Sequence, residues 1–86
     1  MAELTVSVVS TDNEVWAGKA KQLVARTTVG QIGILPGHEP ILAILAPGEV
    51  RVTLADGTVV TALAEDGFLS VEHDTVTVVA RSAELV

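Results

Sequence analysis

Apolar and polar residues alternate along most of this chain, and turn residues interrupt the alternation about every 8–12 residues. Leu4–Ser10 and residues 50–54 both carry apolar side chains at every second position, which is typical of half-buried strands. Asp56-Gly57 then forms a hairpin turn to a returning strand at residues 59–63. We find no amphipathic helix of useful length. The pattern therefore predicts an all-β, mainly antiparallel domain, because no crossover is long enough to make parallel neighbours common.

The remaining strands are placed by the turn residues. Residues 19–27 alternate without interruption and are expected to form one long strand. The apolar run at residues 41–45 is too short for periodicity to separate a buried strand from a helical turn. Four turn clusters are each expected to interrupt the chain: Thr11-Asp12-Asn13, Pro47-Gly48, Asp66-Gly67 and Glu72-His73-Asp74.

The composition limits how a core can be built. The chain has 86 residues, which indicates one domain spanning residues 1–86, and it has no cysteine to cross-link it. Hydrophobic residues make up 49% of the chain but aromatic residues only 2%. The core must therefore be a close packing of Val, Ile, Leu and Ala, with Trp16 and Phe68 as the two large rings. We expect Trp16 to anchor that core.

The charge balance disfavours a nucleic-acid partner. Five basic residues stand against eleven acidic ones, for a net charge of −6, and the basic residues are spread along the chain. No window approaches the roughly 20 apolar residues of a membrane helix, so no membrane insertion is expected. The amino-terminal sequence also lacks the basic and apolar regions of a signal peptide. These features predict a soluble cytoplasmic domain, docked on something larger.

The residues offer little support for catalysis. No serine lies in a Gly-x-Ser-x-Gly elbow, and nothing in the sequence brings His38-Glu39 and His73-Asp74 together as metal ligands. We interpret two groups of carboxylates as exposed charges that keep the domain soluble: Glu65-Asp66, and Glu72 with Asp74. We therefore predict no enzyme activity, cofactor, metal or small-molecule ligand. Two alternatives stay open: a free-standing β-sandwich ligand-binding module, and a small β-barrel enzyme with a histidine and carboxylate site.

The segment from Val29 to Pro40 is the part of the chain where glycine and proline are most concentrated. Three glycines and two prolines interrupt its apolar run, and His38 stands at its exit. Because glycine reaches positive φ easily and proline fixes φ, we expect bends at Gly30 and Gly33 and a turn at Pro36-Gly37. The segment is either a tight connection between strands or a rigid loop presented to a partner.

Read as Gly30-Gln31-Ile32-Gly33-Ile34-Leu35-Pro36-Gly37-His38-Glu39-Pro40, this segment resembles the central loop of the epsilon subunits of F-type ATP synthases. Leu4–Ser10 resembles the opening strand of that family, and Val15-Trp16-Ala17-Gly18 resembles the aromatic and glycine motif that follows it. Pro47-Gly48 and Gly67-Phe68-Leu69-Ser70-Val71 match later landmarks. The resemblance covers essentially all of the chain.

The resemblance implies a flattened ten-stranded β-sandwich at the foot of the central stalk. Such a subunit is not catalytic: it docks on the gamma subunit and the membrane c-ring, and helps couple proton translocation to ATP synthesis. It would be a peripheral, complex-bound subunit at the cytoplasmic face of the bacterial plasma membrane. Family members continue into an inhibitory hairpin of two helices where this sequence stops, so neither that inhibition nor nucleotide binding is transferred to this chain.

The resemblance also implies which residues dock. Gln31 occupies a position where many members carry an acidic residue that faces the polar loops of the ring. His38 occupies a position near both gamma and the ring. A neutral amide at position 31 weakens the case for a charge pair but can still form a hydrogen bond. The docking residues predicted by this match are Gly30, Gln31, Ile32, Gly33, Pro36 and His38.

Overall fold

Seven strands follow one another along the part of the chain that the computed structural model describes, residues 2–11 and 13–86. The all-β class expected from the sequence is confirmed. The turn expected at Thr11-Asp12-Asn13 includes Asp12, which lies outside the described residues. The strands are β1 (Leu4–Ser10), β2 (Glu14–Ala20), β3 (Gln22–Thr27), β4 (Gly30–Ile34), β5 (Ile41–Thr53), β6 (Val59–Glu72) and β7 (Thr75–Leu85).

The strands form one hydrogen-bonded sheet in the order β2-β1-β7-β6-β5-β3-β4. Neighbouring strands are antiparallel except for β1 and β7, where Val6 lies beside Val76 in parallel register. The sheet is thus mixed but mainly antiparallel, as expected. Because β1 and β7 lie at opposite ends of the sequence, almost the whole chain serves as the crossover between them.

Each of the three long strands changes the face that it buries part-way along its length. In β6, Ala62 and Ala64 are buried, and then Leu69 and Val71, so the buried positions shift from even to odd numbers. Asp66 lies between these pairs with a φ of 58°. Because a strand alternates its faces with period two, such a shift marks a bend that turns both halves of the strand toward the same core.

The same change occurs in β5 and β7 at neighbouring positions. Buried residues move from Leu45 to Val50 across Pro47-Gly48 in β5. In β7 the buried even-numbered residues end at Ala80, and the next residue that packs against the core is Ala83, at an odd position. The sheet therefore folds over a shared interior. The expected count of ten strands is not confirmed, because β5, β6 and β7 each continue through the bend rather than ending there, and the structure has seven strands in the described residues.

The interior is built from small aliphatic side chains, as the composition predicted. Trp16 is half-buried and packs against the edge of this core, and Phe68 is 38% exposed, so the expectation that Trp16 anchors the core is wrong. The fully buried side chains of largest volume are Leu4, Leu23, Ile34, Leu69, Val6, Val8, Val50, Val52, Val71, Val76 and Val78.

Three expected strand boundaries are also wrong. Residues 19–27 do not form one strand, because the chain bends at Lys21, whose N–H donates to the Thr53 carbonyl over 2.9 Å. Pro47-Gly48 and Asp66-Gly67 bend β5 and β6 without ending them. Proline is tolerated at this point because the ladder between β5 and β6 pairs residues 41–44 and 48–53 but skips 45–47. The run at residues 41–45 is a strand.

Gly67 lies where β6 and β7 approach each other closely. A Cβ added to Gly67 would stand 1.8 Å from the carbonyl oxygen of Val79 and 2.5 Å from the Cα of Ala80. No side chain fits there without moving the backbone. The glycine at the bend of β6 is thus required by contact with β7, and its φ lies outside the left-handed region.

Candidate docking surface

Residues 30–38, hereafter the docking segment, begin with the edge strand β4. This strand pairs with β3 and has no second neighbour among the described strands. The turn Thr28-Val29 joins the two strands, with Thr27 opposite Gly30. The buried Thr27 hydroxyl donates to the Gly30 carbonyl over 2.6 Å and accepts the Val29 N–H over 3.3 Å. One polar side chain therefore fixes the start of the docking segment.

The two faces of β4 have different environments. Gly30, Gln31 and Gly33 are exposed, whereas Ile34 is fully buried and Ile32 packs against the core. The bend expected at Gly33 is absent, since its φ is not positive and it pairs with Val24 in regular register. Gly30 does adopt a positive φ, of 125°. Of the predicted docking residues, Ile32 turns its side chain inward, and Gln31 and Gly33 face solvent.

The docking segment ends in the turn that the sequence predicted at Pro36-Gly37. The His38 N–H donates to the Leu35 carbonyl over 3.1 Å, and Gly37 has a φ of 89°. Proline followed by a residue at positive φ is the signature of a type II turn. His38 is half-buried, and its Nδ1 lies 2.7 Å from the Glu39 carbonyl oxygen.

The structure joins this turn to the hairpin between β6 and β7. The Gly37 N–H donates to Asp74 Oδ1 over 2.7 Å, and both His73 and Asp74 adopt positive φ, 49° and 59°. This bond between the two turns is not evident from the sequence, because Gly37 and Asp74 lie 37 positions apart. Even so, within residues 2–11 and 13–86 no three histidine, aspartate or glutamate side chains converge as a metal site needs.

A shallow cleft of about 400 Å³ lies beside Gln31 on the outer face of the sheet. Arg51 donates to the Glu49 carboxylate over 2.9 Å, and the Arg26 side chain lies over Gly48. Two of the five basic residues, Arg26 and Arg51, thus line this cleft together with the Glu49 carboxylate. The basic residues are spread along the sequence, and only the pairing of β3 with β5 brings Arg26 and Arg51 together.

A row of apolar side chains crosses the outer face on the other half of the sheet. Ile44 lies opposite Phe68, Phe68 opposite Val79, and Val79 beside Val9, and these four residues are hereafter the apolar row. Ile44 is 58% exposed. Sequence reasoning missed this row. Its signal was the uninterrupted apolar run at residues 41–45, because a strand with one solvent-exposed face ordinarily alternates apolar and polar residues.

The apolar row borders the start of the docking segment. The Thr28 N–H donates to the Ile44 carbonyl over 2.9 Å, which holds the turn before β4 against this end of the row. Val29 at the tip of that turn is 94% exposed, and Leu42, two residues before Ile44, is 69% exposed. Apolar area of this kind on a small domain is typical of a protein–protein contact.

Comparison with known proteins assigns the fold to a family. A family model described as the β-sandwich domain of the ATP synthase delta/epsilon chain matches residues 3–86. The chain belongs to this family. The resemblance drawn from the docking segment is therefore confirmed, and the family description agrees with the folded-over sheet seen in the structure.

Family relatives from bacteria match the chain over nearly its whole length. The ATP synthase epsilon chain of Micrococcus luteus is 54% identical over 85 residues, which are 99% of this chain and 93% of the relative. The ATP synthase epsilon chain of Rhodococcus opacus is 48% identical over 86 residues, which are 99% of this chain and 70% of the relative.

Solved structures with the same fold come from mitochondrial ATP synthases. A chain in the Euglena gracilis OSCP/F1/c-ring structure superposes with a TM-score of 0.92 at 24% identity, covering 99% of this chain and 54% of that one. A chain in the Tetrahymena thermophila central stalk and c-ring structure gives a TM-score of 0.72 at 17% identity, covering 93% of this chain and 64% of that one. At these identities the likeness concerns the fold. The described residues contain no helix suited to crossing a membrane.

Proposed function

We propose that this chain is a non-catalytic rotor subunit of an F-type ATP synthase, which docks on the gamma subunit and the c-ring and helps couple proton translocation to ATP synthesis. Its family and its bacterial relatives, which are named ATP synthase epsilon chains, support this proposal. The proposal includes a peripheral position at the cytoplasmic face of the bacterial plasma membrane, held there by the complex.

The observation that carries this proposal is how the docking segment is held. Its start is fixed by the hydroxyl of Thr27, and its end by the hydrogen bond from Gly37 to Asp74. Between these points Gln31 and Gly33 face solvent. A surface that is already ordered loses less conformational entropy when it binds, and a stiff surface suits a joint that transmits torque.

In this proposal two surfaces have different partners. The apolar row supplies the apolar area that a lasting contact with gamma requires, since long-lived interfaces have apolar centres. Gln31 faces the polar loops of the c-ring, where its amide forms hydrogen bonds rather than a charge pair. His38, at the opposite end of the docking segment, lies near both partners.

Binding measurements with and without the c-ring test this proposal. The chain is mixed with purified gamma subunit and with detergent-solubilised c-ring bearing gamma, and complexes are separated by size. We expect binding to gamma that Ile44→Asp weakens at least tenfold, because a buried carboxylate without a partner is costly. Glu84→Gln, an exposed change outside both the docking segment and the apolar row, is the matched control. A chain that binds neither partner contradicts the proposal.

A further inference from the structure

The outer face that carries the apolar row also carries two further rows of side chains beside it. The middle row crosses five strands at Leu42, Ser70, Thr77, Ser7 and Ala17. The last row crosses four strands at Glu72, Thr75, Thr5 and Lys19. The apolar row and these two rows are hereafter the three-row face. Most side chains of the two added rows are small, so another flat surface can approach the sheet closely there.

Two opposite charges stand at the two ends of the last row. The Glu72 side chain on β6 is 70% exposed, and among the described residues the charged group near it is His73, at 3.8 Å. Lys19, on the edge strand β2, forms no ion pair within the described part of the chain. Its Nζ donates to the Thr5 hydroxyl over 2.8 Å, so the ammonium group lies over β1 rather than beyond the edge of the sheet. Both charges are therefore open to a group from another molecule.

The strand β7 runs along the middle of the three-row face, with β6 and β5 on one side and β1 and β2 on the other. A second copy that is related by a two-fold axis along β7 would place its β1 over β6 and its β2 over β5. Facing sheets keep their strand directions nearly aligned, so this arrangement is an ordinary sheet-on-sheet packing. In such a two-fold contact the face must complement itself, row by row.

The three-row face meets this condition. Glu72 meets the ammonium group that Lys19 of the second copy holds over β1, and the same pair forms again on the other side of the axis. Three residues of β7 lie on the axis and meet their own equivalents: Thr75, Thr77 and Val79. The other facing pairs are Phe68 with Val9, Ser70 with Ser7, and Leu42 with Ala17. Ile44 faces Glu14 at the rim, where the carboxylate stays in water.

We infer that the three-row face binds a second copy of this chain when no other partner covers it. This self-association concerns the chain alone and does not depend on the proposed function. If the proposed function holds, gamma competes for the apolar row, so the pair is a form of the unassembled chain in which Phe68 and Val9 are kept from water. Opposite charges in register specify a second copy rather than an unrelated apolar surface.

The size of the face sets the strength of the contact. Five strands about 4.8 Å apart and three rows about 6.7 Å apart give an area well below the roughly 800 Å² per partner of a lasting complex. Each copy also carries a net charge of −6, which opposes association until salt screens it. The contact is therefore weak and reversible, and we expect it at chain concentrations of about 100 µM in about 0.15 M salt.

Charge reversal at the two ends of the row tests the pairing by analytical ultracentrifugation. Lys19→Glu gives a chain with a carboxylate at both ends, and Glu72→Lys gives a chain with an ammonium group at both ends. We expect each variant alone to associate at least tenfold more weakly than the original chain, because like charges then face each other. An equimolar mixture of the two variants should associate to within about threefold of the original chain, since every contact again joins Glu to Lys.

Glu65→Lys is the matched control, because it makes the same change in net charge at an exposed position outside the three-row face. It should leave association within about twofold of the original chain. An original chain that stays monomeric would overturn the inference and leave the proposed function intact. Association that both reversals leave unchanged, or that the mixture does not restore, would place the contact on another surface and overturn the inference too.

A dilution series followed by NMR makes the same test without any variant. The amide signals of Thr77 and Ser7 should shift as the chain is diluted, because the pair dissociates and exposes the middle row. Val24 and Arg51, on the outer face of the other half of the sheet, are the internal reference and should not shift. Dilution shifts that are confined to Val24 and Arg51, or no shifts at all, would overturn the inference.

Discussion

The main-chain N–H of Gly37 donates a hydrogen bond to the Asp74 carboxylate over 2.7 Å, across 37 positions of sequence. The bond joins the turn at the end of the docking segment to the hairpin between β6 and β7. Asp74 itself adopts a φ of 59°, a conformation that aspartate and asparagine tolerate better than most residues. The placement of His38 therefore depends on a residue distant in sequence.

Replacing Asp74 tests this bond. Asp74→Ala removes the acceptor and places a residue with a Cβ penalty at positive φ, so we expect a loss of about 2 kcal/mol in the free energy of unfolding. Asp74→Asn keeps an acceptor oxygen and the tolerance for positive φ, and should cost less than about 1 kcal/mol. Urea titrations measure both. Equal losses for the two variants would show that the bond contributes nothing.

Gly67 and Gly33 form a matched pair for testing strand packing. Gly67→Ala would push its Cβ into the Val79 carbonyl, so we expect a loss of at least about 2 kcal/mol or failure to fold. Gly33→Ala enters open space on a regular strand and should change stability by less than about 1 kcal/mol, in the stabilising direction. Thermal unfolding of both variants checks the pair. A stable Gly67→Ala protein would contradict the close approach of β6 and β7.

The position of Trp16 sets the cost of removing it. The ring is half-buried, and a Cβ on Gly18 would stand 3.0 Å from it, so it covers the strand beside the core. We expect Trp16→Ala to cost about 2 kcal/mol, below the roughly 3–5 kcal/mol of a fully buried aromatic residue. Chemical denaturation measures the loss. A value above about 4 kcal/mol would mean that the ring lies deeper than the structure places it.

Asp56 provides a prediction for low pH. Hydrogen bonds from the backbone N–H and the hydroxyl of Thr58 lower the pKa of this carboxyl below its ordinary 3.8. A pKa lowered by folding means that the ionised form stabilises the fold at neutral pH. That contribution is lost as the pH falls from about 3.8 through the lowered pKa. An NMR titration should show the pKa of Asp56 rising in Thr58→Val, and no rise would contradict the hydroxyl's role.

Much of the fold could be predicted from local pattern. The alternation in Leu4–Ser10 and the Asp56-Gly57 hairpin were confirmed, because both depend on residues adjacent in sequence. The expected strand count was not confirmed. Pro47-Gly48 and Asp66-Gly67 are compatible both with the end of a strand and with a bend within one. Only the buried neighbours on both sides of the bend decide between these outcomes.

The candidate docking surface also combines features that local sequence predicts with features that depend on strand pairing. The Pro36-Gly37 turn was predicted because its chemistry is local. The Gly37 to Asp74 bond, the cleft at Arg26 and Arg51, and the row from Ile44 to Phe68 all depend on which strands become neighbours. Sequence order does not supply that information, and the parallel pairing of β1 with β7 shows how far apart neighbours can begin.

The most direct test of the rotor assignment measures ATP-driven proton pumping. Membrane vesicles carrying an F-type ATP synthase from a close bacterial relative are depleted of their epsilon subunit, and the purified chain is added back. The account predicts that pumping returns with the original chain and returns less with Ile44→Asp, which places a carboxylate in the apolar row. ATP hydrolysis that continues without any recovery of pumping, at chain concentrations well above that of the enzyme, would contradict the account.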